Sequence, residues 1–337
     1  MARKKSLTLG WMVSLAFILI VIPFGVESGA SPAKVTLKLV SFLPKDQEFS
    51  FGIGWFVERV KTESNGEMVI NYVGGPEAIP PSEQPEAART GVADIVVIPS
   101  TYYEHLLPAA RCFHLTLLRP WEEREPSSGF YDYMVKAHEK IDLFYLGRAM
   151  SEWGMQLWTN FEVTNLQEDF KGHKVALTSA STEEFMRRLG FSVVMVPTMD
   201  LFTSVERGVV DAWTWPVSAW FFGLHEVTKY AIDIRFGTAE NVVYVMNLDK
   251  WNKLSKQQQE LLVEVMKSVE RDGLPRDQKL YVDFRKKFED AGTQFVKFSP
   301  EDTKWFLDLY YTAEWEEAAK KTGQDAADLL REMVAKK

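Results

Sequence analysis

The chain has 337 residues, 46% of them apolar, and carries a formal charge of -8. An acidic balance argues against nucleic acid as a partner, because phosphate binding needs a basic face. The single cysteine, Cys112, excludes an internal disulfide and a cysteine-based metal cluster, and reads most simply as a buried free thiol.

At the amino terminus Arg3, Lys4 and Lys5 precede an apolar run over residues 7–24, and Ser28-Gly29-Ala30 supplies a small-residue cleavage site. This is the layout of a secretory signal over residues 1–30, and it predicts export to the periplasm. An uncleaved membrane anchor is the alternative, although Gly10, Ser14 and Pro23 interrupt a run close to the ~20 residues needed to span. With no cysteine at the cleavage region, a lipid-anchored mature terminus is not expected. Cleavage removes three basic residues and one acidic residue, moving the formal charge from -8 to -10. The roughly 300 residues left suffice for two domains.

Residues 35–39 alternate apolar and polar as a half-buried strand does, and residues 68–72 repeat the pattern after a Ser64-Asn65-Gly66 turn. Between them Phe56, Val57 and Val60 fall at helical spacing. Residues 93–98 and 192–196 are short Val-rich runs that predict buried strands, whereas 183–189 and 201–207 predict helices. Such alternation argues for α/β lobes. An internal echo supports two of them: Gly91/Gly208, Asp94/Asp211 and Pro99/Pro216 are each 117 residues apart. In both copies a helix is expected to stop at the glycine and a strand to run to the proline. A small ligand would bind in the cleft between two such lobes.

Several segments then resemble the solute-binding proteins of tripartite ATP-independent periplasmic (TRAP) transporters, in order from about residue 35 to the carboxyl terminus. They are Phe56-Val57-Glu58-Arg59-Val60 with the strand at 68–72; residues 86–94; residues 154–160; Lys171-Gly172-His173-Lys174-Val175; Glu206-Arg207-Gly208-Val209-Val210-Asp211-Ala212; and Trp251-Asn252-Lys253-Leu254-Ser255 with the amphipathic helix after it. The resemblance implies an α/β, two-lobed periplasmic-binding-protein fold with hinge strands and a long interdomain helix. Lobe one would be 34–153 with 242–281, lobe two 154–241 with 282–310, and 311–337 a C-terminal helical appendage. Gly273-Leu274-Pro275 is expected to kink the long helix. The function implied is capture of a small organic solute, an organic acid or an aromatic or weakly polar molecule, and its delivery to an integral membrane permease. No cofactor, metal or nucleic acid is implied, and a monomer is the default.

The departures from the family pattern bear on the ligand. Family members carry an Arg just after the Lys-Val pair, whose planar fork grips a carboxylate; here that position is Ala176. A second Arg found in some members corresponds to Gln156, and a Glu that helps hold a cation in one branch corresponds to Thr214. Aromatic residues gather instead: Trp213 and Trp215 share a strand face by period two, Trp220, Phe221 and Phe222 follow, and Trp153 and Trp158 flank the start of lobe two. Each ring either stacks on ligand or packs in the core. Arg148 is the nearest basic residue to the second-lobe start, either as a substitute clamp or in an ion pair. From lobe one, Phe42, Pro99, Ser100, Tyr102 and Tyr103 would face the cleft.

Other classes find less support. The five histidines lack the i, i+4 pairing that presents imidazoles to zinc, and no Gly-x-Ser-x-Gly elbow occurs. Glu122-Glu123-Arg124-Glu125 reads as a solvated loop, not as paired catalytic carboxylates. A ligand-presenting protein for a sensor is the remaining alternative to transport, and an exported enzyme is the weakest.

Overall fold

The computed structural model describes residues 34–45, 52–148, 153–237 and 242–335; the expected export signal lies outside them. The chain begins β1 (Val35–Ser41), α1 (Ile53–Glu63), β2 (Met68–Gly74), α2 (Gln84–Arg89) and β3 (Ile95–Pro99), then α3 (Pro120–Glu123), α4 (Phe130–Glu139) and β4 (Leu143–Arg148). A second run follows: β5 (Gln156–Thr159), β6 (Lys174–Leu177), α5 (Glu183–Leu189), β7 (Ser192–Met195), α6 (Leu201–Glu206), β8 (Ala212–Trp215) and β9 (Tyr230–Ile232). The remainder is β10 (Val242–Asn247), α7 (Leu248–Asn252), α8 (Lys256–Asp290), β11 (Gln294–Val296), α9 (Pro300–Thr322) and α10 (Gln324–Val334).

Two sheets result, ordered β2-β1-β3-β10-β4 and β11-β9-β5-β8-β6-β7. In the first, β2, β1 and β3 are parallel and β10 runs against β3 and β4; in the second, β7, β6 and β8 are parallel and β5 runs against β8 and β9. Each lobe thus has three parallel strands followed by one antiparallel strand. β3 is buried on both faces, with Ile95 and Val97 in one core and Val96 and Ile98 in another, which is why it reads as an unbroken apolar run. β7 corrects that reading for residues 192–196: it is the edge strand, and Ser192 and Met195 are exposed. An apolar run cannot by itself separate a central strand from an edge strand.

The 117-residue echo has a structural basis. Gly91 and Gly208 adopt φ values of 78° and 67° just after α2 and α6, a left-handed stop that favours glycine. Asp94 then accepts a hydrogen bond from the Lys38 amide at 2.7 Å and returns its own amide to the Lys38 carbonyl. Asp211 does the same with Lys174, its carboxylate accepting from the Lys174 amide at 2.9 Å. The carbonyls of Asp94 and Asp211 receive the amides of Asn247 and Asn160, which close β10 and β5. One aspartate per lobe therefore ties β3 or β8 to both of its neighbours, through its carboxylate and amide on one side and its main-chain carbonyl on the other.

α8 spans the two lobes. Its first half packs Leu262, Val265, Met266 and Val269 on sheet one, and its second half packs Phe284 and Phe288 on the Trp158 face of sheet two. α8 continues as one helix from Lys256 to Asp290 with Pro275 inside it. Ser255 caps its start, accepting from the Gln258 amide while the Gln258 side chain accepts from the Ser255 amide. The segment read as an appendage is helical, and α9 and α10 pack on α4, α5 and the 3-10 segment Pro108–His114, burying Phe306, Tyr310 and Leu330. Cys112 is buried beside them, and burial pushes its thiol up to about 12, so it is inert.

The Asp94 carboxylate is largely buried, so Asp94→Ala leaves the Lys38 amide without its partner. The expected loss is about 1–3 kcal/mol of unfolding free energy in urea titration. The more exposed Asp211→Ala is expected to lose less, and equal losses would show that burial is not what makes the bond matter.

Candidate functional site

A parallel strand sends its chain out of the sheet at its carboxyl end, and in open α/β sheets ligands bind there. Here both sheets turn that end toward one cavity of about 610 Å³. From lobe one come Phe42, Leu43 and Pro44 after β1, Pro76 after β2, and Pro99, Thr101 and Tyr102 at and after β3. From lobe two come Thr178 and Ser179 after β6, Pro197 and Thr198 after β7, and Trp215 and Pro216 at the end of β8. The 3-10 segment Val217–Phe222 then contributes Ser218, Phe221 and Phe222. Prolines at these ends stop the strands and leave no amide needing a partner where the wall meets the ligand space.

Six aromatic rings line the wall: Phe42, Tyr102, Phe202, Trp215, Phe221 and Phe222. Trp215 and Phe222 meet edge to face, ring centroids 5.4 Å apart. Ser82, Thr101, Thr178, Ser179, Ser181, Thr198 and Ser218 are the Ser and Thr residues of the lining. No Lys, Arg, Asp or Glu is among the described lining residues. The lining His114 carries no charge either: burial first, and the nearby Arg111 guanidinium second, hold its imidazole down at about 3.

Of the expected site residues, the structure brings Phe42, Tyr102 and Trp215 to the cavity. Trp158 and Trp213 do not line it: their rings stack at 5.0 Å, fully buried, and Trp158 donates to the Trp215 carbonyl. They set the floor beneath Trp215. Ala176 is buried in register with Trp213 in the same core, two residues before the lining Thr178. Thr214 points to the opposite face of β8, in register with Leu157, and Ser100 is buried with its hydroxyl donating to the Ala110 carbonyl. Trp153 is buried and donates to the Asp277 carbonyl of α8. Gln156 is wholly buried in register with Trp215, and neither atom of its amide has a partner.

Of the two roles expected for Arg148, the structure shows the ion pair, buried instead of at the surface or between the lobes. Arg148 does not line the cavity; its guanidinium is buried against Glu123 at 2.8 Å and donates to the Leu118 carbonyl. The run Glu122–Glu125 is likewise not a solvated loop, since Glu123 takes Arg148 and Arg124 holds Glu270 of α8 with two bonds of 2.6 and 2.7 Å. A second buried guanidinium, Arg111, stands behind His114 and bonds Glu314 of α9, Glu104 and the Ser181 carbonyl. Sequence reasoning missed this group and the loops after β2, β6 and β7. The strand-end rule would have pointed to those loops, because each follows a parallel strand.

Two α/β lobes, joined by crossing strands and a shared helix and facing each other across a solute-sized cavity, define a two-lobed solute-binding protein. Residues 44–321 match the bacterial extracellular solute-binding protein family 7, and the chain belongs to that family. A solute-binding protein of Albidiferax ferrireducens is 23% identical over 295 residues, covering 82% of each chain. The TRAP periplasmic solute-binding protein of Desulfovibrio salexigens, solved with orotic acid, superposes with a TM-score of 0.77 at 19% identity, covering 89% of this chain and 99% of that one. A marine metagenome TRAP protein specific for aromatic acids, solved with 3-hydroxybenzoate, gives 0.73 at 22% identity, covering 89% and 97%. This chain is therefore a solute-binding protein of that family.

Because His114 stays neutral and burial raises the Tyr102 phenol, no described lining group changes charge between pH 5.5 and 8. Solute affinity measured by calorimetry is expected to be flat across that range for a solute that does not itself titrate there. A tenfold change would place a titrating side chain in the cavity.

Proposed function

We propose that this receptor is exported through residues 1–30, takes one small organic solute into the cavity between the strand ends, and presents the closed form to a TRAP-type membrane permease without doing chemistry on the solute. The cavity carries the reading: about 610 Å³ lies within the ~300–1,000 Å³ of small-molecule sites, and its wall is mostly apolar, with six aromatic rings and scattered hydroxyl-bearing residues. Such a wall suits a planar ring with a few polar substituents, since flat faces stack on Trp215, Phe222 and Tyr102 while hydroxyls meet the edges. Ring-shaped ligands in two relatives of the same fold support this shape, though not their charge.

Closure is the proposed signal. Lobe one, 34–153 with 242–281, and lobe two, 154–241 with 282–310, would move about the two chain crossings and α8, with 311–337 riding on both. A bound solute favours the closed arrangement only through contacts made from both sides, and here Phe42 and Tyr102 face the cavity from one lobe and Trp215 and Phe222 from the other. A monomer suffices for this cycle.

Trp215→Ala is expected to weaken solute binding by about tenfold or more while leaving the fold intact, because a half-buried ring on the wall is lost. Trp158→Ala, which empties the floor, is expected instead to cost about 3–5 kcal/mol of stability. Titration calorimetry and thermal unfolding of both variants separate the two roles. Unchanged affinity in the Trp215 variant would sink the aromatic-wall reading.

A further inference from the structure

Arg111 is a buried cation that does not itself line the cavity. It sits on the 3-10 segment Pro108–His114 of lobe one, three residues before the lining His114, and in a 3-10 helix residues three apart lie on one face. Its guanidinium, 2% exposed, therefore stands beside that part of the wall. From there it reaches two other parts of the molecule. Nη2 donates at 2.6 Å to the Ser181 carbonyl, in the lobe-two loop after β6, and at 2.6 Å to Glu314 of α9. Nη1 donates at 3.3 Å to Glu104, which also takes Lys321 of α9.

The Ser181 bond crosses from one lobe to the other at the cavity itself. Ser179 and Ser181 line the lobe-two side, their hydroxyl oxygens 2.9 Å apart, and His114 lines the lobe-one side. A guanidinium spans such a gap better than an ammonium, because its rigid fork serves several acceptors at fixed spacing. Losing the bond leaves a buried cation one partner short, so separating the lobes here is opposed. The cluster also holds spare bonding capacity: Arg111 Nε and the Oε1 atoms of Glu104 and Glu314 have no partner in this arrangement. A guanidinium that releases Ser181 can turn onto those oxygens, which gives the cluster two discrete arrangements, one for each position of the lobes.

Resting on the closure proposed above, we infer that Arg111 is a positioning residue that latches the cleft: it holds the Ser179–Ser181 wall of lobe two against the His114 wall of lobe one and favours the closed arrangement. The latch lies behind the lining, so it acts on every solute alike. It sets how readily the cleft closes, not which solute is chosen.

The spacing of the lobes can be read without any solute. Val73→Cys and Met195→Cys place thiols at exposed positions on β2 and β7, the outer strands of the two sheets, while Cys112 is buried and inert. Nitroxide labels on the two introduced thiols of the exported protein give a distance between the lobes by double electron–electron resonance. Arg111→Met combined with Glu314→Gln removes the guanidinium without leaving Glu314 as an unpaired charge, and Glu104 keeps Lys321. In that protein the distance is expected to lengthen by more than about 2 Å and its distribution to broaden. In Glu314→Gln alone Arg111 keeps Ser181, and the distance is expected to stay that of the unaltered protein. Should the double variant fail to fold, Arg111→Lys, which keeps the charge and loses the fork, carries the same expectation. An unchanged distance in the Arg111 variants overturns the inference, as does a change in Glu314→Gln alone as large as in the double variant. Either result leaves the receptor reading standing, since solute capture is read separately as a rise in melting temperature with 3-hydroxybenzoate, orotate, nicotinamide and similar ring compounds. If a compound that raises the melting temperature of the double variant does not shorten its distance again, the proposed closure falls and the latch with it.

Discussion

The cleft depends on where the chain crosses between lobes. Each sheet carries one antiparallel strand in its interior, and the chain enters it from the other lobe: β10 after β9, and β5 after β4. An antiparallel neighbour begins where its partner ends. Val242 therefore pairs with Pro99 at the end of β3, and Gln156 with Trp215 at the end of β8. Both crossings are thereby placed at the carboxyl ends of the parallel strands, which is the end that presents loops to a ligand. Val242 and Met155, one beside each crossing, line the cavity. Chain crossings and binding site are consequently the same region, and in the proposed closure a solute that bridges the walls would act close to the axis of movement.

The interior strands can serve as crossings because each is tied on both sides. The Asp94 and Asp211 carbonyls hold the ends of β10 and β5 while the carboxylates hold β1 and β6. α8 adds a third link, fixed to lobe one by the buried Arg124–Glu270 pair and to lobe two by Phe284, Phe288 and the Arg285–Asp233 pair. Buried ion pairs of this kind are weak evidence of net stability, since desolvation offsets attraction. They do fix geometry, because either partner alone would be left as an unpaired buried charge. Arg148 belongs with these groups and not with the ligand.

Much of this was legible in the sequence, for definite reasons. Strand periodicity placed β1, β2 and β3, the glycine-to-proline echo found β3 and β8, and the ordered motifs gave the family and the two-lobed α/β fold. Period two put Trp213 and Trp215 on one face, but a face extends from the core floor to the cavity rim, so spacing could not tell the buried, stacked ring from the half-buried one on the wall. The two readings of Arg148, clamp or ion pair, could not be separated in sequence, because its partner Glu123 lies 25 residues away inside an acidic run that reads as surface. Gln156 was legible as the loss of a charge. That its amide is buried without partners follows only from the packing around it.

The most direct test of the account is a crystal structure of the solute-loaded protein. Density for the ligand is predicted between Tyr102 and Phe42 on one side and Trp215 and Phe222 on the other, at the ends of β1, β3 and β8. Ligand density confined elsewhere, such as the smaller cavity between α9 and α10 lined by Trp315 and Arg331, would contradict the claim that the strand ends form the binding site.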